Sequence, residues 1–281
     1  MSNLPFGIDI SSYQYSADGK RKPDFDKLNA AVSFCAIRAG ISWGYVDKWF
    51  RYSWDNVTVP KIAYHVQYPG EDANRQMDHL LRIIPVGEHT RYCLDLELAH
   101  GQTKARITQC TLTMLERLRR ETGRYPILYS RASWVNQYLS VEDLPRVDWW
   151  LANYLRARPA PYFTPEKEPP PILPRGVDRW LIHQTGEKGD GSAVGVVSHY
   201  VDTNRWNGSE AELRAYFGLG EETPEPEPEP QEPLFQARVY SWATPYVNVR
   251  AEPSLSAGKV GYKYPLAVTD VMSTVPDWYE V

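Results

Sequence analysis

Strand-sized apolar runs alternate with helix-sized amphipathic ones through most of this chain, and that alternation restricts the fold more than any other feature. Strands are expected near 5–9, 33–38, 61–67, 91–97, 126–130, 148–154, 180–184 and 196–202. Between the first five lie helix-like stretches at 24–31, 47–57, 71–84 and 103–122. The longest has Thr103 placed to cap its start, Gly123 just past its end, and an apolar stripe of Ile107, Cys110, Leu112, Leu115 and Leu118. A strand that returns to its sheet through a helix must run parallel to the first. The expected fold is therefore α/β: an irregular (β/α) barrel of TIM type with fewer than eight helices, since the last three strands have little helix between them.

The pattern stops at residues 221–233, "EETPEPEPEPQEP". Alternating Glu and Pro cannot build a core and favours an extended, self-repelling spacer. Short strand-like runs with turn residues between them resume afterwards, as in a small all-β module. The expected division is a barrel over 1–218, a linker over 219–233 and a module over 234–281.

Composition narrows the chemistry. A formal net charge of -4 over 281 residues argues against a nucleic-acid partner. No run approaches the roughly 20 apolar residues of a membrane span. The opening "MSNLPFGIDI" shows no basic segment leading into an apolar one, so the expectation is synthesis in a cytoplasm; a monomer is expected as well. Cys35, Cys93 and Cys110 have no metal or disulfide spacing, and the six histidines have no zinc-site spacing, so no metal or cofactor is expected. The 10 Trp and 19 Tyr suit either core mass or a sugar-binding cleft.

In a parallel barrel the C-terminal strand ends share one face, and acids there are site candidates. Asp9 ends the first expected strand, Asp95 and Glu97 the fourth, and Asp202 the last. Alternation along a strand points Asp95 and Glu97 the same way, about 6.6 Å apart at a rise near 3.3 Å per residue. Neighbouring carboxylates repel, so one keeps its proton to higher pH. Glycoside hydrolysis needs that pairing of a proton donor with a second group supporting developing positive charge. The plainer alternative is strand-end acids that are solvated or paired with Arg. "GISWG" (40–44) has the nucleophile-elbow spacing, but the residues after it open a helix poorly. "EKGDGSAVG" reads as a loop or hairpin.

The ordered motifs resemble the family 25 glycoside hydrolases, the Chalaropsis-type muramidases. "GIDISSYQ" is similar to that family's first strand, with Asp9 and Gln14; "AYHV" to its Y-H strand at Tyr64 and His65; "CLDLEL" to its D-x-E strand. "WWLANY" supplies Trp150, Ala152 and Tyr154, "HQT" supplies Gln184, and "VDTNRW" supplies Asp202. The resemblance implies cleavage of the β-1,4 bond after N-acetylmuramic acid in bacterial peptidoglycan, by a phage or prophage lysin or a secreted autolysin. Glu97 would be the acid and then the base, and Asp95 would steer the 2-acetamido group onto C1, with a direct nucleophile as the alternative. Asp9 and Asp202 would tune Glu97 and hold the sugar. Tyr64, Tyr129, Trp150 and Gln184 would contact substrate. The C-terminal module resembles a bacterial Src-homology-3-like wall-binding domain on the run "VNVRAEPSLSAGKVG", without its usual last strand. The loop "EPPPILPRG" (168–176) is longer than the family's. A chitin-type hydrolase would carry an aspartate where Cys93 stands, and a catalytically silent wall-binding protein is the remaining alternative.

Overall fold

The computed structural model describes residues 4–87, 89–154 and 169–220, together with strand segments between 235 and 280. Chain contacts divide it into two units, 1–221 and 222–281.

The first unit is a closed eight-stranded barrel in the order β1-β9-β8-β7-β6-β5-β4-β2, sealed by pairing of β1 with β2. Its strands are β1 (Phe6–Ile10), β2 (Phe34–Ile41), β4 (Lys61–Val66), β5 (Arg91–Asp95), β6 (Ile127–Ser130), β7 (Trp149–Ala152), β8 (Ile182–Asp190) and β9 (Tyr200–Trp206). A two-residue strand β3 (Tyr45–Val46) folds back on β2 as a hairpin outside the ring. All pairings around the ring are parallel except the two made by β9. Helices α1 (Phe25–Ala31), α2 (Phe50–Asn56), α3 (Ala73–Ile83), α4 (Lys104–Thr122) and α5 (Ala132–Tyr138) follow the earlier strands, and α6 (Glu210–Tyr216) follows the last.

The helices form where their ends are chemically satisfied. Asp24, Asp72 and Thr103 accept hydrogen bonds from the first-turn N–H groups of α1, α3 and α4. Gly123 closes α4 at φ 77°, a left-handed conformation that costs glycine little. The buried face of α4 is Ile107, Thr111, Met114 and Leu118, with Cys110 and Leu115 beside them. Leu112 lies at the margin of that face rather than within it, half-buried.

Strand alternation creates two cores. Outward residues such as Ile8, Ile37, Ala63, Leu94, Leu128 and Leu151 pack with the helices. Inward residues Phe34, Ala36, Ile62, Cys93, Ile127, Trp150, Ile182 and Trp206 fill the barrel. Leu213 of α6 and the following Phe217 join this inner cluster and plug the end where the parallel strands begin. Gly7 belongs to the same packing, because a Cβ there would come within 2.5 Å of the Phe34 ring.

Three sequence expectations change. The last strand is displaced from 196–202 to Tyr200–Trp206 and runs antiparallel, because β8 continues to Asp190 and the glycine-containing segment 191–199 turns the chain. Asp202 therefore lies early in β9 instead of closing a strand, yet antiparallel direction returns it to the same barrel mouth. Strand β5 ends at Asp95, so Glu97 stands in the loop beyond it, although the Leu96 N–H still donates to the Tyr129 carbonyl. Helices α5 and α6 were not expected.

In the second unit the described residues form three antiparallel pairs: Phe235–Arg238 with Val268–Val271, Val247–Arg250 with Lys259–Lys263, and Ser273–Val275 with Trp278–Glu280. An all-β segment was expected there. Part of the long loop before β8 lies outside the described residues.

Candidate active site

The inward-pointing residues at the C-terminal ends of the parallel strands enclose a cleft of about 260 Å³. All eight residues singled out as site candidates line it: Asp9, Tyr64, Asp95, Glu97, Tyr129, Trp150, Gln184 and Asp202. They come from β1, β4, β5, β6, β7, β8, β9 and the loop after β5. His65, the neighbour of Tyr64, faces the other way and is fully buried, its ring held neutral by a pKa that burial drops to about 3.

Four carboxyls meet here as two pairs. Asp9 and Asp202 are partners in the β1–β9 register. Asp9 Oδ2 accepts 2.9 Å hydrogen bonds from Gln184 Nε2 and Asn204 Nδ2. Burial raises Asp9, and its hydrogen bonds to Asn204, Gln184 and Asp202 pull it partway back. Burial and the charge of Asp9 push Asp202 up to about 9. Asp202 thus enters the pair as the protonated donor and Asp9 as the acceptor.

The second pair is Asp95 with Glu97. Burial, the charge of Glu97 and their mutual hydrogen bond lift Asp95 far above the usual carboxylate range. Glu97 is also raised, by desolvation of its carboxyl within the cleft, while the hydrogen bond from Asp95 opposes the shift. Much of the Glu97 side chain remains open to solvent, whereas Asp95 is 7% exposed. Asp95, the more deeply buried of the two, is accordingly raised further than Glu97. Asp95 Oδ1 is buried with no hydrogen-bond partner, which is costly for a carboxyl. Cys93 lies one inward position below, its thiol kept neutral by burial.

The walls are held by their own hydrogen bonds. Gln184 Oε1 accepts from Tyr129 OH at 2.6 Å and Tyr154 OH at 2.9 Å, so one amide ties two tyrosines to Asp9. The Trp150 indole donates to Asn204 Oδ1 at 2.8 Å, and its ring meets Tyr129 and Tyr64 edge to face. Gln14 is occupied in capping the turn at Ser12–Gln14 by accepting from the Ser11 N–H at 2.8 Å. On the opposite wall Arg38 binds the buried Asp47 at 2.9 Å and donates to Ser12 Oγ. Sequence reasoning passed over Asn204, Arg38 and Tyr13. Asn204 was legible once Asp202 was placed, two residues on and hence on the same face.

Among the described residues no three His, Cys, Asp or Glu side chains gather in a way that could hold a metal ion. No described helix is long and apolar enough to cross a membrane.

Comparison with known proteins agrees with this architecture. The family described as "Glycosyl hydrolases family 25" matches residues 8–192. Among curated proteins, "Uncharacterized protein YegX" of Escherichia coli O157:H7 is 25% identical over 228 residues, covering 78% of this chain and 75% of that one. Among solved structures, a family 25 glycosyl hydrolase from Bacillus anthracis superposes with a TM-score of 0.61 at 21% identity, covering 78% of this chain and 94% of its own. A bacterial lysozyme from Streptomyces coelicolor gives 0.61 at 21% identity, covering 78% of this chain and all of its own. At such identities the structures speak for the barrel, while the family match spans more than half of the sequence, so the chain belongs to glycosyl hydrolase family 25.

Proposed function

We propose that this family 25 hydrolase is an N-acetylmuramidase that cuts the β-1,4 bond between N-acetylmuramic acid and N-acetylglucosamine with retention, using the substrate's own 2-acetamido group. The observation that carries the reading is the Asp95–Glu97 pair: one acid buried with an unpartnered oxygen, the other open to the cleft. An acetamido N–H donating to Asp95 stabilises its carboxylate form, and the shared proton moves to Glu97. Glu97 then passes that proton to the glycosidic oxygen as the acetamido oxygen attacks C1 and the leaving sugar departs. In the second half Glu97, now a carboxylate, takes a proton from water as that water opens the cyclic intermediate at C1.

Asp9 and the protonated Asp202 hold the sugar at the cleaved bond and set the field around Glu97. Tyr64 offers ring surface, with Trp150 meeting it edge to face from within the wall. Gln184 and the indole N–H of Trp150 have polar groups already engaged within the protein, so their part is to fix Asp9, Tyr129 and Asn204 in place. The all-β unit is proposed to hold the enzyme on the wall.

Digestion of purified peptidoglycan, followed by mass spectrometry of the new reducing ends, tests the reading. Muramic-acid ends are expected. Glucosaminyl ends, or products from chitin, would overturn it.

A further inference from the structure

One wall of the cleft continues outward as exposed aromatic rings, Tyr13 on the turn after β1 and Trp43 and Tyr45 on the β2–β3 hairpin. We propose that Tyr13, Tyr45 and Trp43 form an extended subsite that stacks sugars of the glycan strand beyond the cleaved bond. The proposal rests on the muramidase reading for its substrate and concerns a surface outside the acid cluster.

Tyr13 is 75% exposed, Trp43 42% and Tyr45 44%. Each is nevertheless held by a cation. The Arg38 guanidinium lies over the Tyr13 ring at 5.2 Å and over Tyr45 at 5.8 Å, and the Arg75 guanidinium lies over Trp43 at 4.2 Å. Those cations are fixed or oriented in turn: Arg38 by the buried Asp47, Arg75 by its place in the first turn of α3. The Trp43 indole also donates to Glu71 at 3.1 Å.

A ring backed by a guanidinium on one face and open elsewhere is ordered before any ligand arrives, which lowers the entropic cost of stacking on it. Ser42, at the hairpin tip beside Trp43, adopts φ 55°, an uncommon conformation for a serine. Continuity with the cleft identifies the occupant. Tyr13 and Arg38 line the cleft itself, and Trp43 lies at most about 16 Å of extended chain from Arg38. A glycan leaving the cleft past Tyr13 and Arg38 would meet Tyr45, which shares the Arg38 guanidinium with Tyr13. The flat apolar faces with polar edges match pyranose rings better than the charged stem peptides.

The test compares the native chain with Trp43→Ala and Trp43→Phe on long glycan strands stripped of peptide and on a short soluble oligosaccharide that fills only the cleft. For Trp43→Ala we expect KM on long glycan to rise about five- to tenfold, with kcat and short-substrate kinetics unchanged. Trp43→Phe should recover most of the loss. Equal losses on both substrates, no loss on either, or a loss confined to peptide-bearing glycan would each overturn the subsite. Binding of peptide-free glycan, measured on a Glu97→Gln background with and without Trp43→Ala, separates this proposal from the enzyme assignment. A Trp43-dependent affinity on the Glu97→Gln background, together with a native chain that releases no muramic-acid ends, would sink the muramidase reading and leave the subsite standing; an affinity indifferent to Trp43 would sink the subsite alone.

Discussion

Asp9 and Asp202 face one another across the antiparallel β1–β9 pair, joining the first and last strands of the barrel at the cleft floor. Were β9 parallel like its neighbours, its third residue would lie towards the opposite end of the barrel. The reversal of one strand is what brings the fourth acid to the site.

That pairing has a consequence for stability. Asp202 in the unfolded chain loses its proton near the ordinary 3.8, but in the folded chain only near 9. Between those values the folded state binds the extra proton, so stability falls as pH rises through the window. Asp202→Asn cannot ionise and keeps a donor towards Asp9. Its melting temperature should decline less steeply than the native one from about pH 5 to pH 9. Parallel melting curves across that range would show that Asp202 ionises normally.

Glu97→Gln removes the only carboxyl of the Asp95–Glu97 pair that is open to the cleft. Turnover should fall by about 10²–10⁴-fold with an unchanged melting profile. Because desolvation raises Glu97, the native activity should drop on the alkaline side as the pair gives up its proton. A variant that retains turnover would remove Glu97 from the role of acid.

Much of this was legible in the residues. Alternation pointed Asp95 and Glu97 the same way, and both line the cleft, while the capping signals at Thr103 and Gly123 fixed α4. The direction of β9 was not legible, since a strand's orientation depends on how long β8 runs before its turn, and "EKGD" does not look apolar enough to be strand. Helix α5 was missed because "ASWVNQY" spans only two turns and opens directly from a strand. Helix α6 was there to be read: Ser209 and Glu212 form a capping box ahead of Leu213. Which carboxyl of the pair is raised further was beyond the sequence altogether, because it depends on unequal burial of neighbours two residues apart.

Gln184 is the knot of the cleft wall, donating to Asp9 and accepting from Tyr129 and Tyr154. Gln184→Leu preserves bulk but leaves two hydroxyls without an acceptor and Asp9 with one donor fewer. A loss of about 1–3 kcal/mol in unfolding free energy is expected for an unsatisfied buried group, together with a fall in kcat from the released Asp9. Denaturant titration and steady-state rates check both. Full activity in a destabilised variant would confine Gln184 to a structural role.

The opposite end of the barrel supplies the control. Phe217 is fully buried and seals the inner core against Trp206, with ring centroids 6.2 Å apart. Phe217→Ala opens a cavity at that end, at an expected cost of about 3–5 kcal/mol. Cys93, Ile127 and Ile182 lie between this plug and the acids, so the cleft geometry should survive in the molecules that stay folded. The measurable outcome is a melting temperature lowered by many degrees with turnover per folded molecule near the native value at low temperature. A proportional loss of turnover would mean that the inner core transmits the cavity to the acids, and that the barrel's floor helps hold the geometry of its mouth.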